Sequence, residues 1–558
     1  MADFDTHPVD CDVVVVREGT KESIMKHIRI LVLTCLVALS SYAQAQSEDV
    51  TAQKIAALAR AHANLEMFSG TVLVARNGNV VYAGAYGEAN KDHHVPNKLE
   101  TRFNIGSIGK TFTAVAVMQL VQEGKLRLSE TLGKYYPECP FAEKETITIQ
   151  NLLTHTSGLG DYLEHKEYKA KLATLRSVGD ALPLIFDQKP AFPAGERFQY
   201  SNSGFCLLGG IIEKVSGMPY REFVRQHIFE PCGMKKSSIC QEDEVLPDRA
   251  IGYTQNADGS FTANIRVIPA ALSDGGLRTS ANDLLKFDQA LKGEILLSDQ
   301  SKQAMFEPSP RRATSASGWE VKEFFGHRYV GHSGGADGVE AFFYRFIDSG
   351  YTVIVLSNYH NGAEELTSSI MSLLFDKPYS LPTVADANFR LGYRLQGENM
   401  LQDAANVLAR NLAADPPHLL SLFFAANVRI RGGFEIEKAL DYLDRYLSLA
   451  GEDAFPTKSM AWYQKGSAYL KLGKRPEAIH ALEKSLTIDP QNQAARELMG
   501  RLRKDEGAAG LVHRSAGDSG SAEDSSSGPH PLKRSRHSVK FFMQGNANTD
   551  TIPLQSAK

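Results

Sequence analysis

The sequence predicts an α+β domain followed by an all-helical domain, and three observations support this prediction. Strand-like runs lie near both ends of segment 46–380, helical patterns lie between those runs, and helices recur at a regular interval after residue 385. Strands from both ends of a segment can join one antiparallel sheet with helices packed on it, which is an α+β layer architecture. A chain of 558 residues exceeds one ordinary hydrophobic core, so more than one domain is expected.

The composition describes a globular protein without a strong charge bias. Hydrophobic residues make up 43% of the chain, and the formal net charge is -4. The chain has no excess of basic residues of the kind that would indicate a nucleic-acid partner. No Cys/His spacing indicates zinc, and His-Glu-x-x-His is absent, so we expect neither a metal nor a cofactor.

The first residues predict export. Residues 25–45 have the pattern of a secretory signal peptide, in which basic residues precede an apolar run over 30–39 and Ala43-Gln44-Ala45 offers a cleavage site. We interpret residues 1–24 as an upstream extension and Met25 as the true start. The apolar run is short for a membrane span, so we expect no stable span after cleavage and a periplasmic or secreted protein. An uncleaved anchor is the alternative.

Four cysteines follow the predicted leader, at Cys139, Cys206, Cys232 and Cys240. Export makes disulfides permissible, and Cys232 and Cys240 are close enough in the sequence to pair across a loop. Four cysteines allow three connectivities, and buried thiols are equally compatible with the sequence. The pairing therefore stays open at this point.

A tight hairpin is predicted near the start of the α+β segment. Val72–Ala75 and Val80–Tyr82 flank Asn77-Gly78, the favoured dipeptide of a type I′ turn. Tyr351–Leu356 supplies a further strand near the other end of the segment. We expect these runs to meet in one antiparallel sheet.

A hydroxyl and an amine lie one helical turn apart at the start of an apolar helix. They belong to Ser107 and Lys110, and residues three apart on a helix share a face. A desolvated lysine in that place can take a proton from the hydroxyl and make it a nucleophile. The spacing alone is weak evidence, because Ser23 and Lys26 repeat it without a plausible function.

Two later segments give this pair its context. Tyr200-Ser201-Asn202 follows a loop marked by Pro and Gly, and His332-Ser333-Gly334-Gly335 precedes the strand-like Val339–Tyr344. In order and spacing, Ser-x-x-Lys, Tyr-x-Asn and His-Ser-Gly resemble the three active-site motifs of serine β-lactamases and penicillin-binding proteins. Leu152–Leu159 and Gly275–Leu284 extend the resemblance, which points to the class C β-lactamase-like serine hydrolases.

The resemblance implies a β-lactamase/penicillin-binding-protein fold and an acyl-enzyme mechanism. In that scheme Ser107 attacks a carbonyl, and Lys110 draws the proton or holds Tyr200 as a phenolate. Tyr200 passes the proton to the leaving group, and Asn202 donates to the amide of the substrate. The catalytic residues are thus expected to be Ser107, Lys110 and Tyr200.

The third motif is expected to bind the substrate along a strand. The resemblance implies substrate contacts from His332, Ser333 and Gly334, and an oxyanion hole formed by the backbone N–H groups of Ser107 and Gly335. The glycines fit a strand that a substrate carbonyl approaches closely.

The same segment also matches the nucleophile elbow of α/β-hydrolases. Gly331–Gly335 reads Gly-x-Ser-x-Gly, with Ser333 at its centre. That elbow needs a helix after the serine, whereas the residues that follow look like a strand. We therefore expect Ser107, and not Ser333, to be the nucleophile.

His332 stands where the best-known β-lactamases carry lysine. An imidazole is mostly neutral at pH 7 and holds a substrate carboxylate less well than an ammonium. We therefore predict an exported serine hydrolase of a small amide, peptide or ester, of D-amino-acid peptidase, carboxypeptidase or esterase type, with β-lactamase activity weak or absent. The alternatives are a class C-type β-lactamase and a catalytically degenerate penicillin-binding scaffold that binds proteins through its repeats.

The segment 385–505 resembles tetratricopeptide repeats. The signature positions fall on Trp462, Gly466, Tyr469, Ala478, Leu482 and Pro490, and they recur at Gly392, Ala404, Leu408 and Pro416 and, more weakly, at Ala439 and Leu443. Three helix pairs are therefore predicted. They provide either a surface for a protein or peptide partner or a stabilising extension.

The remaining residues, 506–558, are rich in Gly and Ser and carry a short basic run. We predict a disordered, solvated tail that does not bind nucleic acid.

Overall fold

The computed structural model describes Met25 and residues 48–241, 243–264, 272–413 and 417–515. The predicted upstream extension, the rest of the signal peptide, Pro416 and residues 516–558 lie outside the described residues.

The strands are short except in one central sheet. They are β1 (Gly70–Arg76), β2 (Asn79–Tyr86), β3 (Glu88–Asn90), β4 (Val95–Pro96), β5 (Phe103–Asn104), β6 (Ser238–Ile239), β7 (Gly252–Gln255), β8 (Phe261–Asn264), β9 (Leu277–Thr279), β10 (Glu320–Phe324), β11 (His327–Ala336), β12 (Val339–Phe346) and β13 (Tyr351–Ser357).

The helices lie before, between and after the strands. They are α1 (48–64), α2 (Gly109–Gln122), α3 (Leu132–Tyr135), α4 (Ile149–Leu153), α5 (Tyr168–Lys171), α6 (Val178–Phe186), α7 (Asn202–Ser216), α8 (Tyr220–Val224), α9 (Glu230–Cys232), α10 (Ala281–Lys292), α11 (Asp299–Phe306), α12 (Glu364–Leu374), α13 (Val384–Gly397), α14 (Leu401–Ala409), α15 (Leu419–Gly432), α16 (Ile436–Leu449), α17 (Lys458–Lys471), α18 (Arg475–Ile488) and α19 (Gln493–Ser515).

The central sheet joins the two ends of the α+β segment, as the sequence predicts. Its six antiparallel strands have the order β10-β11-β12-β13-β1-β2. The pairing of β1 with β13 places Gly70 opposite Ser357 and so brings the first and last strands of the segment side by side. Asn77 and Gly78 have φ angles of 51° and 85°, which is the left-handed backbone that a type I′ turn needs at both positions.

Helices cover both faces of this sheet because side chains along a strand alternate between the faces. Leu73 and Ala75 of β1 pack into the core formed with α2, α7 and α10, whereas Val72 and Val74 pack with α1 and α12. The result is an α+β fold with an antiparallel sheet flanked by helices, and the predicted fold class is confirmed.

Helix α2 lies in the middle of the larger core. Every residue from Gly109 to Leu120 is buried, which explains why its sequence is apolar on all sides instead of on one stripe. A fully buried helix is held on every side, so it provides a rigid base for the side chains at its first turn.

Three helix pairs follow the α+β segment: α13 with α14, α15 with α16, and α17 with α18. In the outer pairs a glycine lets the two helices approach. A Cβ atom on Gly392 would lie 2.6 Å from Leu408 Cγ, and one on Gly466 would lie 2.9 Å from Leu482 Cγ. The shared offset between glycine and leucine in the sequence thus reflects one repeated packing contact.

The pairs have their own hydrophobic core, and they also contact the α+β segment. Arg410 Nη2 donates to the Ala257 carbonyl at 2.7 Å, and Arg394 Nη2 donates to the carbonyl of Gln255. Helix α19 continues to Ser515, so residues 506–515 of the predicted tail are helical. The rest of that prediction lies outside the described residues. Residues 506–515 include Ala508, Ala509 and Leu511, which favour helix, so the Gly/Ser-rich composition becomes dominant only further on.

The four cysteines whose pairing the sequence left open are free thiols. Cys139, Cys206 and Cys240 are buried and Cys232 is partly buried.

Across the described ranges, no helix combines the length and the apolarity needed to cross a membrane. Nor do those ranges contain a group of three or more His, Cys, Asp or Glu residues placed to hold a metal ion.

Candidate active site

Ser107 lies where the chain turns from β5 into α2. A 3-10 turn over Gly106–Ile108 joins the two elements. Gly106 has a φ angle of 50°, and its N–H donates to Asn104 Oδ1 at 2.9 Å. The turn leaves the half-buried Ser107 side chain at the mouth of a buried helix.

Lys110 is fully buried one turn later, and its ammonium contacts three oxygen atoms. Nζ lies 3.0 Å from Ser107 Oγ, 2.7 Å from Asn202 Oδ1 and 2.6 Å from the carbonyl oxygen of Asp274. An ammonium has three N–H donors and no acceptor, so these three oxygens match its hydrogen-bonding capacity. The structure therefore holds the lysine in a fixed position beside the serine.

The second motif reaches Ser107 from the start of α7. Ser201 is the N-cap of that helix, where its Oγ accepts from the Gly204 N–H at 3.3 Å. Tyr200 directly precedes the cap, and its hydroxyl lies 2.9 Å from Ser107 Oγ. The phenol is 38% exposed, so it stands between the serine and the solvent, where a substrate would arrive.

Asn202 is buried, and both polar atoms of its carboxamide have partners within the protein. Its Oδ1 accepts from Lys110, and its Nδ2 donates to Asp161 Oδ2 at 2.7 Å. The carboxamide thus links the lysine to a loop carboxylate. Direct donation from Asn202 to a substrate remains a prediction.

Two aspartates near the lysine, Asp161 and Asp274, were not predicted as site residues from the sequence. Burial raises the pKa of Asp161 and of Asp274, although the nearby Lys110 ammonium acts in the opposite direction. The Asp274 carboxylate accepts from the Tyr162 hydroxyl at 3.0 Å. Both residues adjoin sequence stretches that carried the family resemblance, and that position was the only signal available.

The third motif lies on β11 and packs directly on the turn that carries Ser107. A Cβ atom on Gly334 would lie 1.9 Å from the Ile105 carbonyl oxygen and 3.1 Å from the Ser107 nitrogen. A Cβ atom on Gly106 would lie 2.9 Å from the Gly335 nitrogen. Only glycine fits at 106 and 334, because backbone meets backbone there.

This contact changes the interpretation of Gly334. From the sequence alone, a glycine here fits a strand that a substrate carbonyl approaches closely. In the structure the space beside Gly334 is taken by the protein's own chain at Ile105, whereas a Cβ atom on Gly335 would have no neighbour closer than 3.9 Å. The open position is therefore 335, and a substrate contact by Gly334 stays a prediction.

His332 and Ser333 belong to the same strand. The buried His332 ring lies with its centroid 6.4 Å from that of Tyr200. Burial lowers the pKa of His332, while the Glu320 carboxylate opposes this shift. The next residue is turned towards Glu320, since Ser333 Oγ lies 3.5 Å from Glu320 Oε1.

The strand geometry also excludes the nucleophile elbow. Ser333 pairs with Phe342 in the middle of the β11–β12 ladder. An elbow requires a strand, a sharp turn and a helix, and here the strand continues to Ala336 and returns as β12.

The family comparison agrees with this arrangement. The Beta-lactamase family model matches residues 54–372, and a Tetratricopeptide repeat model matches residues 459–492. Penicillin-binding protein 4* of Bacillus subtilis (strain 168) is 30% identical to the chain over 437 residues, which cover 72% of this chain and 94% of that protein.

Solved structures show the same fold. The penicillin binding protein from Bacillus halodurans matches with 33% identity and a TM-score of 0.53, over 57% of this chain and 98% of that one. A D-stereospecific amidohydrolase from Streptomyces sp. matches with 24% identity and a TM-score of 0.51, over 58% of this chain and 99% of that one, and it supports the fold alone. The predicted resemblance to β-lactamases and penicillin-binding proteins, with helical repeats after them, is confirmed.

Proposed function

Because the chain belongs to the β-lactamase family of serine hydrolases, we propose that it is an exported enzyme that cleaves a small amide, peptide or ester through an acyl-enzyme on Ser107. The observation that carries this proposal is the meeting of Lys110 Nζ and the Tyr200 hydroxyl at Ser107 Oγ, at 3.0 and 2.9 Å. Two groups able to move a proton contact one hydroxyl, which is the arrangement of an activated nucleophile.

In the proposed reaction the Lys110 ammonium holds Tyr200 as a phenolate. Ser107 Oγ bonds to the substrate carbonyl carbon, the carbonyl π electrons move to its oxygen, and the Oγ proton passes to the phenolate of Tyr200. We assign the first proton transfer to Tyr200 because the three oxygens around Lys110 already accept its three N–H donors. The carbon–nitrogen or carbon–oxygen bond then breaks, and Tyr200 returns the proton to the leaving amine or alcohol. Water reverses the sequence and releases the acid.

Attack on the carbonyl gives a tetrahedral intermediate with a negatively charged oxygen, which N–H donors from the backbone must stabilise. Ser107 lies in the 3-10 turn that leads into α2, where the first N–H groups have no carbonyl partner within the helix. The backbone of Gly335 lies next to this turn. We therefore propose that the N–H groups of Ser107 and Gly335 form the oxyanion hole.

The relative's name supports acylation by penicillins, and His332 limits their turnover in our proposal. Its burial lowers its pKa, so the ring is mostly neutral at pH 7 and gives a β-lactam carboxylate little charge to bind. We therefore propose covalent binding of penicillins with slow release, and faster turnover of esters or amides that lack a carboxylate.

Intact-mass spectrometry of the full chain tests the reaction directly. We would incubate wild type and Ser107→Ala with a penicillin, a D-Ala-D-Ala peptide and a short-chain nitrophenyl ester. The expected result is an acyl adduct that maps to Ser107 and is absent from the variant. An adduct on another residue, or no adduct and no turnover with any of the three, would refute the proposal.

Export and a repeat partner complete the proposal. The predicted signal peptide supports a periplasmic or secreted protein, and sequencing of the exported chain is expected to find its first residue near Gln46. The tetratricopeptide match supports a protein or peptide partner for the helical repeats. A stabilising extension predicts instead that no envelope protein crosslinks to these helices.

A further inference from the structure

His155 is a buried histidine with an unusual backbone. It is 3% exposed, and its φ angle is 56°. Residues other than glycine rarely adopt this left-handed conformation, and it persists only where surrounding contacts hold it. Strain of this kind often lies at functional sites, so the contacts of His155 are informative.

Those contacts bracket Tyr200 on both sides. The His155 carbonyl accepts from the Gln199 N–H at 2.8 Å, and its ring Nδ1 accepts from the Ser201 N–H at 3.2 Å. One residue thus holds the backbone immediately before and immediately after the tyrosine. A left-handed backbone at 155 brings its carbonyl and its ring to the same short segment.

The ring of His155 also supports the phenol itself. Its centroid lies 4.4 Å from that of Tyr200, with 27° between the planes. Phe205 lies 5.0 Å from the same imidazole and backs it from the core. Because Tyr200 is 38% exposed, this stack is an important restraint on the direction of its hydroxyl.

The imidazole can act this way only when it is neutral. A protonated ring would donate from Nδ1 and could not accept from the Ser201 N–H. Burial, followed by the nearby charge of Lys110, lowers the pKa of His155 well below its usual value. The proton of the neutral ring then resides on Nε2, and Nδ1 remains an acceptor.

We propose that His155 is a positioning residue that fixes the Tyr200 phenol at hydrogen-bonding distance from Ser107. The inference rests on the proposed function, in which Tyr200 moves the proton of Ser107. A histidine that only fills the core would stabilise the fold without a specific effect on the proton-transfer step.

Two substitutions distinguish a histidine that positions the Tyr200 phenol from one that only fills the core. Glycine adopts a positive φ without strain, so His155→Gly allows the backbone while it removes the ring and its acceptor. Asparagine also tolerates this backbone, and in His155→Asn its Oδ1 can replace Nδ1 as the acceptor. We expect acylation by a nitrophenyl ester to fall at least about tenfold in His155→Gly and to stay within about threefold of wild type in His155→Asn, with KM little changed.

A double-mutant cycle with Tyr200→Phe distinguishes the two roles. It compares the effect of His155→Gly on the acylation rate with and without the Tyr200 hydroxyl, and a purely structural role predicts the same effect in both backgrounds. If His155 acts through the tyrosine hydroxyl, His155→Gly should cost less than about twofold once that hydroxyl is absent. A control is His62→Asn, which alters another buried histidine, bonded through Nδ1 to the Leu58 carbonyl in the layer formed with α1. It should lower the Tm and leave the acylation rate unchanged.

Equal losses in His155→Gly with and without the Tyr200 hydroxyl would overturn the inference, as would a wild-type acylation rate in His155→Gly. Failure of the proposed function is distinct, because it appears as acylation that persists in Ser107→Ala. Recovery of the rate in His155→Asn, together with a small effect in the Tyr200→Phe background, would establish the positioning role.

Discussion

The hydroxyl of Tyr200 lies 2.9 Å from Oγ of Ser107, although the two residues are 93 positions apart in the sequence. One stands at the entrance to α2 and the other directly precedes the cap of α7. Both helices belong to the same core, so the distance between the two oxygens is fixed by packing that does not depend on a substrate. The site is therefore organised before a substrate binds.

The choice of nucleophile gives the first prediction. Ser107→Ala is expected to abolish ester turnover and every covalent adduct, because it removes the hydroxyl that Lys110 and Tyr200 contact. Ser333→Ala should retain substantial activity, since that hydroxyl faces Glu320 from within a strand. Turnover and intact mass are measured for both variants. Loss of activity in folded Ser333→Ala with activity retained in Ser107→Ala would reverse the assignment.

The second prediction concerns the proton path. Lys110→Ala and Tyr200→Phe should each slow acylation by at least about 10²-fold, the usual contribution of a positioned acid or base. The double variant should be little slower than the slower single variant, because both residues serve one path. Pre-steady-state acylation rates check this. Near-normal acylation in either single variant would remove that residue from the mechanism.

The third prediction concerns Gly334, the glycine of β11 that packs on the turn carrying Ser107. Gly334→Ala should lower turnover by more than about 10²-fold, because its Cβ would lie 1.9 Å from the Ile105 carbonyl and would push β11 away from Ser107. Gly293→Ala is the control, since it adds the same methyl group directly after α10, at a glycine where no neighbouring atom lies within 4 Å of the new Cβ. Turnover and Tm are measured for both. Equal effects would mean that the contact with Ile105 does not order the site.

The parts of the site that the sequence predicted are those whose geometry is local. Ser107 and Lys110 share one helical turn, and Asn77-Gly78 determines its own hairpin, so spacing and turn chemistry sufficed. The meeting of β1 with β13 followed from strand patterns at the two ends of one segment. The family resemblance supplied the grouping of the three motifs, which no local pattern could give.

The remaining contacts depend on tertiary packing and left no periodic signal. Asp161 and Asp274 reach the lysine and its neighbours from loops, and an aspartate in a loop looks like any turn residue in the sequence. The close approach of Gly334 to the Ile105 carbonyl was not predicted from the sequence, which suggested only the approach of a substrate. The sequence placed His155 within a stretch that carries the family resemblance but predicted no role for it, because its left-handed backbone cannot be inferred from residue type.

The fourth prediction concerns Glu340, which lies opposite Gly335 in the β11–β12 register. Burial raises its pKa to about 7, although its carboxylate accepts from the Ala363 and Glu364 N–H groups at the start of α12. Between roughly pH 4.5 and 7 the folded chain keeps a proton that the unfolded chain has released, so its stability falls as pH rises. By pH 8 the loss is about 3 kcal/mol.

Glu340→Gln removes this titration and keeps an oxygen acceptor. We expect its Tm to match that of wild type near pH 4 and to exceed it at pH 8. The control is Glu323→Gln, at an exposed position of β10, which should show no such gain in Tm as pH rises. Differential scanning fluorimetry across this pH range measures the difference between each variant and wild type. A constant difference for Glu340→Gln at all pH values would show that folding does not raise the pKa of Glu340.

The last prediction concerns substrate charge at His332. Its ring lies near Tyr200, and burial lowers its pKa despite the opposing Glu320 carboxylate. If a substrate carboxylate binds the protonated ring, kcat/KM for that substrate should rise relative to its methyl ester as pH falls. Because the pKa of His332 is lowered, this rise should lie on the acid side of the ordinary histidine value of about 6.5. His332→Lys keeps a positive charge over this range, so it should flatten the difference and improve penicillin turnover at pH 7. Parallel profiles for the acid and the ester in wild type would show that the site selects by shape and not by charge.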